Sequence, residues 1–194
     1  PMWYAAGNSS SYEMAARKGL GVLGFSVGDF ASAEKAVASY KKAVADAEPV
    51  GAYVNDNLMC CIAAYIAEER EEAYRSFTEC RPNYLVSNVF RYHDTFPHPA
   101  NVPTWPERIP EPTLEDVPGY LESGALLLGD PDDALRQAKV WESIGVDQLV
   151  FGVGPAPIDE LVRTIELIGK YVIPKIDTDP EHRTTAFRRA AAAS

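Results

Sequence analysis

Cysteine is scarce: the 194-residue sequence has three, with Cys60 and Cys61 adjacent and Cys80 far from both. That number and spacing support neither a secreted disulfide framework nor a zinc site, and the expected location is a reducing compartment, the cytoplasm. Long apolar runs are also lacking. None approaches the ~18–20 residues of a bilayer-spanning helix and no charged leader precedes a hydrophobic stretch, so a soluble chain with no membrane partner is expected. Basic residues are outnumbered, 18 Lys and Arg against 28 Asp and Glu, for a net charge of −10. A polyanion meets net repulsion, which argues against nucleic acid as a partner. What the sequence does hold is material for a core. Hydrophobic residues make up 46% of it, with 7 Phe, 10 Tyr and 3 Trp, so a compact domain is expected rather than a disordered chain.

Met2 to Ala6 is a short apolar run stopped by Gly7-Asn8-Ser9-Ser10, the composition of a buried strand ending in a turn. A short helix should follow, capped by Ser10 or Ser11, with Glu13 in its first turn and Gly19 ending it. Leu20 to Phe25 reads as a second buried strand. Ala33, Ala36, Val37, Tyr40 and Val44 recur at helical spacing between Ser32 and Glu48, leaving Lys41, Lys42 and Asp46 for solvent. Asn57 to Ile66 is apolar on both alternating faces and predicts a strand covered on both sides. Glu68 to about Phe90 returns to helical composition, broken near Pro82.

Seven prolines between Pro97 and Pro118 make regular structure unfavourable over most of residues 92–118, except for a short helix from Leu114 to Glu122. A stretch of this kind is expected to be a lid or binding loop, packed through Phe96, Trp105 and Ile109. Order resumes with the apolar run Ala125 to Gly129. Asp130 can then cap a helix that has Pro131 at its first position, Asp132 and Asp133 in its first turn, and Gly145 at its end. Asp147 to Val153 reads as a strand and Pro157 to Tyr171 as the closing helix, with Ile158, Leu161, Val162, Ile165 and Ile168 on one face. The expected organisation is one unit over residues 1–176, with the insertion at 92–118, and a polar, then alanine-rich tail at 177–194. Four readable strands alternating with helices specify a parallel α/β sheet, open or closed into a barrel.

Two stretches carry a family resemblance. Trp3-Tyr4-Ala5-Ala6-Gly7-Asn8-Ser9-Ser10-Ser11, followed by Ala15-Ala16-Arg17-Lys18-Gly19-Leu20-Gly21, resembles the middle of the bacterial luciferase-like monooxygenases. Gly129-Asp130-Pro131-Asp132-Asp133, Glu142 to Leu149, Glu166-Leu167-Ile168 and Val172-Ile173-Pro174 resemble that family's C-terminal signature. The resemblance implies the C-terminal half of a (β/α)8 TIM barrel, about strands five to eight, with the Pro-rich insertion. Pro1 opens directly into an apolar run and reads as the middle of a longer protein. The partners implied are the N-terminal half of the same barrel, a flavin, a small organic substrate and further copies in a homo-oligomer. The activity implied is oxidation of an organic substrate with reduced flavin and oxygen. The cofactor would be FMN, or coenzyme F420 in a deazaflavin-dependent hydride-transfer variant; a relative that binds flavin or phosphate without catalysis is the further alternative. This fragment alone is expected to be inactive, its catalytic residues lying in the other half.

Among individual residues, the turn Gly7, Asn8, Ser9, Ser10 and Ser11 offers backbone and hydroxyl donors at a helix start, which suits either a plain helix cap or a phosphate. The resemblance implies the flavin phosphate, held chiefly by Gly7, Asn8 and Ser11. An unrelated barrel acting on a phosphorylated substrate would use such a turn equally well. His93, Asp94 and His98 form a polar group too small to specify a metal, and none is expected. Trp105 and Phe96 suit either an apolar substrate pocket or the lid's own packing. Cys60 and Cys61 read as small core residues, Asp130, Asp132 and Asp133 as helix-start acids, and Gly152-Val153-Gly154 as a possible border of the flavin.

Overall fold

The computed structural model describes residues 1–25, 30–79, 103–107, 110–124 and 126–193. Its strands are β1 (Trp3–Ala6), β2 (Gly21–Phe25), β3 (Leu58–Ile66), β4 (Leu126–Gly129) and β5 (Gln148–Val153). The helices are α1 (Ser9–Arg17), α2 (Phe30–Val44), α3 (Arg70–Glu79), α4 (Val117–Ser123), α5 (Pro131–Ser143), α6 (Ile158–Leu167), α7 (Ile173–Ile176) and α8 (Arg183–Ala193). Every strand pairing is parallel, the fold class expected from strands that alternate with helices. The sheet has five strands rather than four. β4 is the addition, four consecutive buried residues that the sequence marked only as an apolar run.

β3 is the hub. Its odd-numbered backbone groups serve one edge, where Asn57 C=O accepts from Val22 N–H at 2.9 Å and Ala67 N–H donates to Gly129 C=O at 3.2 Å. β2 and β4 therefore follow one another along that edge. Even-numbered groups serve the other edge, where Leu58 C=O accepts from Asp147 N–H at 2.9 Å at the start of β5. β5 ends short of Ile66, and the Thr164 hydroxyl of α6 takes over: it donates to Ile66 C=O at 2.9 Å and accepts from Ile66 N–H at 3.3 Å. Main-chain groups that would otherwise be stranded in the interior are thus satisfied.

The two faces differ, which corrects the expectation that β3 is covered alike on both sides. Its even face (Leu58, Cys60, Ile62, Ala64, Ile66) is buried against Ala15 and Ala16 of α1, Val37 and Tyr40 of α2, Ala134 and Trp141 of α5, and Leu167. On the odd face, Tyr65 packs with Phe77 of α3, Val117 of α4 and Leu126 and Leu128 of β4. Nearer the amino ends of the strands, Met59 and Cys61 remain half-buried and Val150 is exposed. Cys60 and Cys61 consequently lie on opposite faces, and only the first is a core residue. β1 pairs only with β2, and β4 and β5 each only with β3, among the described residues; the Gln137 side chain bonds Leu128 N–H and C=O on the outer side of β4, and the outer edges of β1 and β5 have no strand beside them.

Several local expectations shift. Asn8, not Ser10 or Ser11, caps α1, and Glu13 lies beyond its first turn, paired instead with Arg17 at 2.8 Å. Lys41 is not left to solvent: it bridges Asp56 at 2.9 Å and Asp147 at 3.0 Å. The closing helix turns part of its apolar stripe outward, with Ile158 78%, Val162 48% and Ile165 55% exposed, and passes through a π turn at Ile168–Val172. The tail from Asp177 contains α8, whose Arg183 bonds Asp147 at 2.8 Å. Trp105 is 45% exposed, and Phe96 and Ile109 lie outside the described residues. Gly19 and Gly145 do end α1 and α5, with φ of +65° and +98° that a side chain would strain. A short 3-10 turn over Leu114–Asp116 leads into α4, as the expected helix there requires.

Candidate functional site

In a parallel sheet with right-handed crossovers, the carboxyl ends of the strands form one rim, and the turns leaving them converge there. The first is the turn after β1. Ala6 is buried, the backbone emerges at Gly7, and Asn8 adopts an extended conformation (φ −155°, ψ 161°) before α1 begins at Ser9. Asn8 Oδ1 accepts from Ser11 N–H at 2.9 Å and from the Ser10 hydroxyl at 2.7 Å. The capping oxygen and the Ser10 hydroxyl are therefore engaged with each other. The N–H groups of Ser9 and Ser10 head the helix, where no preceding turn supplies an acceptor, and the Asn8 side-chain N–H2 is a further donor.

The space at this turn is open. A Cβ placed on Gly7 would meet nothing within 4 Å, and Gly7 does not have a positive φ. Residues 7–10 are exposed and Ser11 is half-buried. Helix-end polarity, N–H donors and small side chains suit a dianionic phosphate. Gly7, Asn8, Ser9, Ser10 and Ser11 thus occupy one accessible turn, with Asn8 as its organiser.

The other expected groups divide. His93, Asp94 and His98 lie outside the described residues. Asp130 and Asp133 form a reciprocal capping box, Asp133 N–H donating to Asp130 Oδ1 at 2.8 Å and Asp130 N–H to Asp133 Oδ2 at 3.2 Å. Asp133 is buried and also holds Arg70 and Arg136. Burial, the largest influence, would raise its pKa, but those guanidinium bonds and the Asp130 N–H outweigh it and hold the carboxyl below the usual range. These acids are accounted for by helix and tertiary bonding. Among the described residues, no group of three or more His, Cys, Asp or Glu is arranged to hold a metal ion. No helix there is long and apolar enough to cross a membrane. After β5, a Cβ on Gly154 would overlap the Tyr65 hydroxyl, so glycine there admits an aromatic side chain from β3 to the rim.

One rim feature has no local sequence signature. A cleft of about 390 Å³ opens beyond β3 between α3 and α6, lined by Glu68, Glu72, Arg75, Asp159, Arg163 and Thr164. Its residues come from helices far apart in sequence, and helical spacing alone gives no indication that the two helices meet.

Comparison with solved structures places this arrangement. A monooxygenase from Streptomyces bottropensis, RslO1, superposes with a TM-score of 0.59 at 17% identity, covering 88% of this chain and 47% of that one. The oxygenating constituent of 3,6-diketocamphane monooxygenase from Pseudomonas putida, a type II Baeyer–Villiger enzyme solved with FMN, gives 0.59 at 17% identity, covering 91% and 49%. The coenzyme F420-dependent tetrahydromethanopterin reductase of Methanopyrus kandleri gives 0.55 at 18% identity, covering 90% and 50%. This chain therefore spans about half the length of these solved proteins. No curated protein matches it significantly. The luciferase-like monooxygenase family model matches residues 1–148, a span running from β1 and the serine turn through the four strand-and-helix steps to the start of β5. On that match, and on the parallel α/β fold it shares with these enzymes, the chain belongs to the luciferase-like monooxygenase family.

Proposed function

We propose that this chain is the carboxy-terminal half, about strands five to eight, of a (β/α)8 barrel in a flavin-dependent oxidoreductase, and that the turn Gly7–Ser11 holds the cofactor's phosphate. The observation that carries this reading is the Asn8-capped turn: open donors at the head of a helix, on the rim where such barrels bind ligands. Family membership sets aside the reading as an unrelated barrel. In the complete protein, bound reduced flavin would supply electrons to oxygen for oxidation of a small organic substrate. This chain's residues would hold the phosphate through the Ser9 and Ser10 N–H groups, the Ser9 hydroxyl and the Asn8 amide. Gly7 would leave room for it, and Gly154 with Tyr65 would border the ring. The segment at 92–118 would close over an apolar substrate.

The half-barrel reading also gives the open edges of β1 and β5 and the half-covered odd face a partner, the N-terminal half of the same barrel. That half would supply the proton-handling groups, so this fragment alone would not turn over. Few cysteines and no membrane-spanning helix among the described residues support a cytoplasmic location.

The experiment is a titration of the complete barrel with FMN, riboflavin and coenzyme F420. Tight FMN binding that depends on the phosphate, with substrate-dependent oxygen uptake, is the expected result; failure to bind any of the three would overturn the reading. Tight F420 binding with hydride transfer would select the deazaflavin alternative, which the name of the Methanopyrus reductase favours as the second reading. Binding without turnover would select the non-catalytic relative.

A further inference from the structure

Tyr12 follows the phosphate turn directly. With Ala15 and Ala16 it forms the inward face of α1, at the i, i+3 and i+4 spacing of a helix packed on a sheet. Beneath it the strands present residues of one register, Ala6, Gly24 and Cys60, all small and all buried. A Cβ built on Gly24 would overlap the Tyr12 hydroxyl and lie 3.3 Å from Cζ. Gly24 does not have a positive φ, so its backbone does not demand glycine; the space does. The phenol fills the volume that any side chain at position 24 would take.

α1 is only nine residues long and its first two residues, Ser9 and Ser10, are exposed. Ala15 and Ala16 fix the helix near its far end, whereas Tyr12 fixes it beside the turn. We propose that Tyr12 is a positioning residue: its phenol, seated on Gly24, sets where the Ser9 and Ser10 donors stand relative to a bound phosphate. This rests on the phosphate reading of the turn. Burial, with a smaller contribution from Cys60, pushes the Tyr12 pKa up to about 12, so the group in the seat is a neutral hydroxyl under ordinary conditions.

The test uses Gly24→Ala, Tyr12→Phe and the double variant, with two readouts: the ratio of FMN to riboflavin affinity, and amide hydrogen exchange at Tyr12 to Met14. Gly24→Ala should lower FMN affinity about tenfold and leave riboflavin within about twofold, because a misplaced turn harms only the phosphate contact. Removing the hydroxyl makes room for the new methyl, so the double variant should recover FMN affinity to within about threefold of the parent. Tyr12→Phe alone leaves a gap and should speed exchange at these amides about threefold or more. An unchanged FMN-to-riboflavin ratio in Gly24→Ala, no recovery in the double variant, or parental exchange in Tyr12→Phe would each overturn the proposal. Should Gly24→Ala not fold, the other two variants decide. A parent that prefers FMN no more than riboflavin would remove the phosphate reading instead, and exchange in Tyr12→Phe would still decide whether the phenol holds the turn.

Discussion

Asn8 carries two duties that substitution can separate. Asn8→Ala removes the cap and should cost about 1 kcal/mol, seen as a lower thermal midpoint. Asn8→Asp keeps a capping oxygen and suits the positive helix end, so stability should hold to within about 0.5 kcal/mol. Its added charge should nonetheless weaken FMN binding about tenfold in a titration of the complete barrel. Asp133 gives a pH prediction. Its pKa is depressed in the folded state, so its contribution is present above the ordinary carboxylate range and is lost as pH falls through the lower folded value. Acid unfolding of the parent should therefore steepen below about pH 4, and Asp133→Asn should flatten it. Legibility differed between these two positions. Asp130 was readable as a cap because Pro131 and two acids surround it, whereas three consecutive serines hid the cap at Asn8: each can accept from a helix N–H, and only the backbone angle at residue 8 selects one.

At the scale of elements, β3 depends on α6 for its last edge. Thr164→Val keeps shape but withdraws both bonds to Ile66, which should cost about 1–2 kcal/mol and speed exchange of the Ile66 amide. A parental exchange rate there would contradict the role given to Thr164. Long periodic segments were legible: α2, α5 and β3 formed close to where spacing placed them. β4 was not, because four residues carry no period that separates a strand from a buried loop. The outward stripe of α6 was missed for the opposite reason, since regular apolar spacing names a face without saying which neighbour, if any, covers it.

Considered as a whole, the molecule leaves related surfaces open: two sheet edges, half-covered Met59 and Cys61, and the stripe Ile158, Val162 and Ile165. Open parallel edges and apolar patches favour association. We expect the isolated chain to form homo-oligomers whose mass rises with concentration in light scattering, and Ile158→Lys with Ile165→Lys to lower that mass. A monodisperse monomer at high concentration would argue against this. The α/β class was legible because alternation is written along the chain, but the asymmetry of the two faces was not, since it arises from α3 and α4 folding back over one end of the sheet. Finally, the two ends of the sheet carry different burdens. At the amino ends Asp147, Lys41 and Arg183 interlock, and Tyr40 donates to Leu20 C=O and Asn55 C=O, each at 3.0 Å. The opposite rim also carries folding bonds, at Asn8, Asp130, Asp133 and Thr164, but around its cleft Glu72 and Asp159 are exposed. Diversification aimed at a new substrate should therefore be confined to exposed cleft positions such as these, where libraries would retain most of their folded members, while equal randomisation of the floor would mainly yield chains lost to proteolysis.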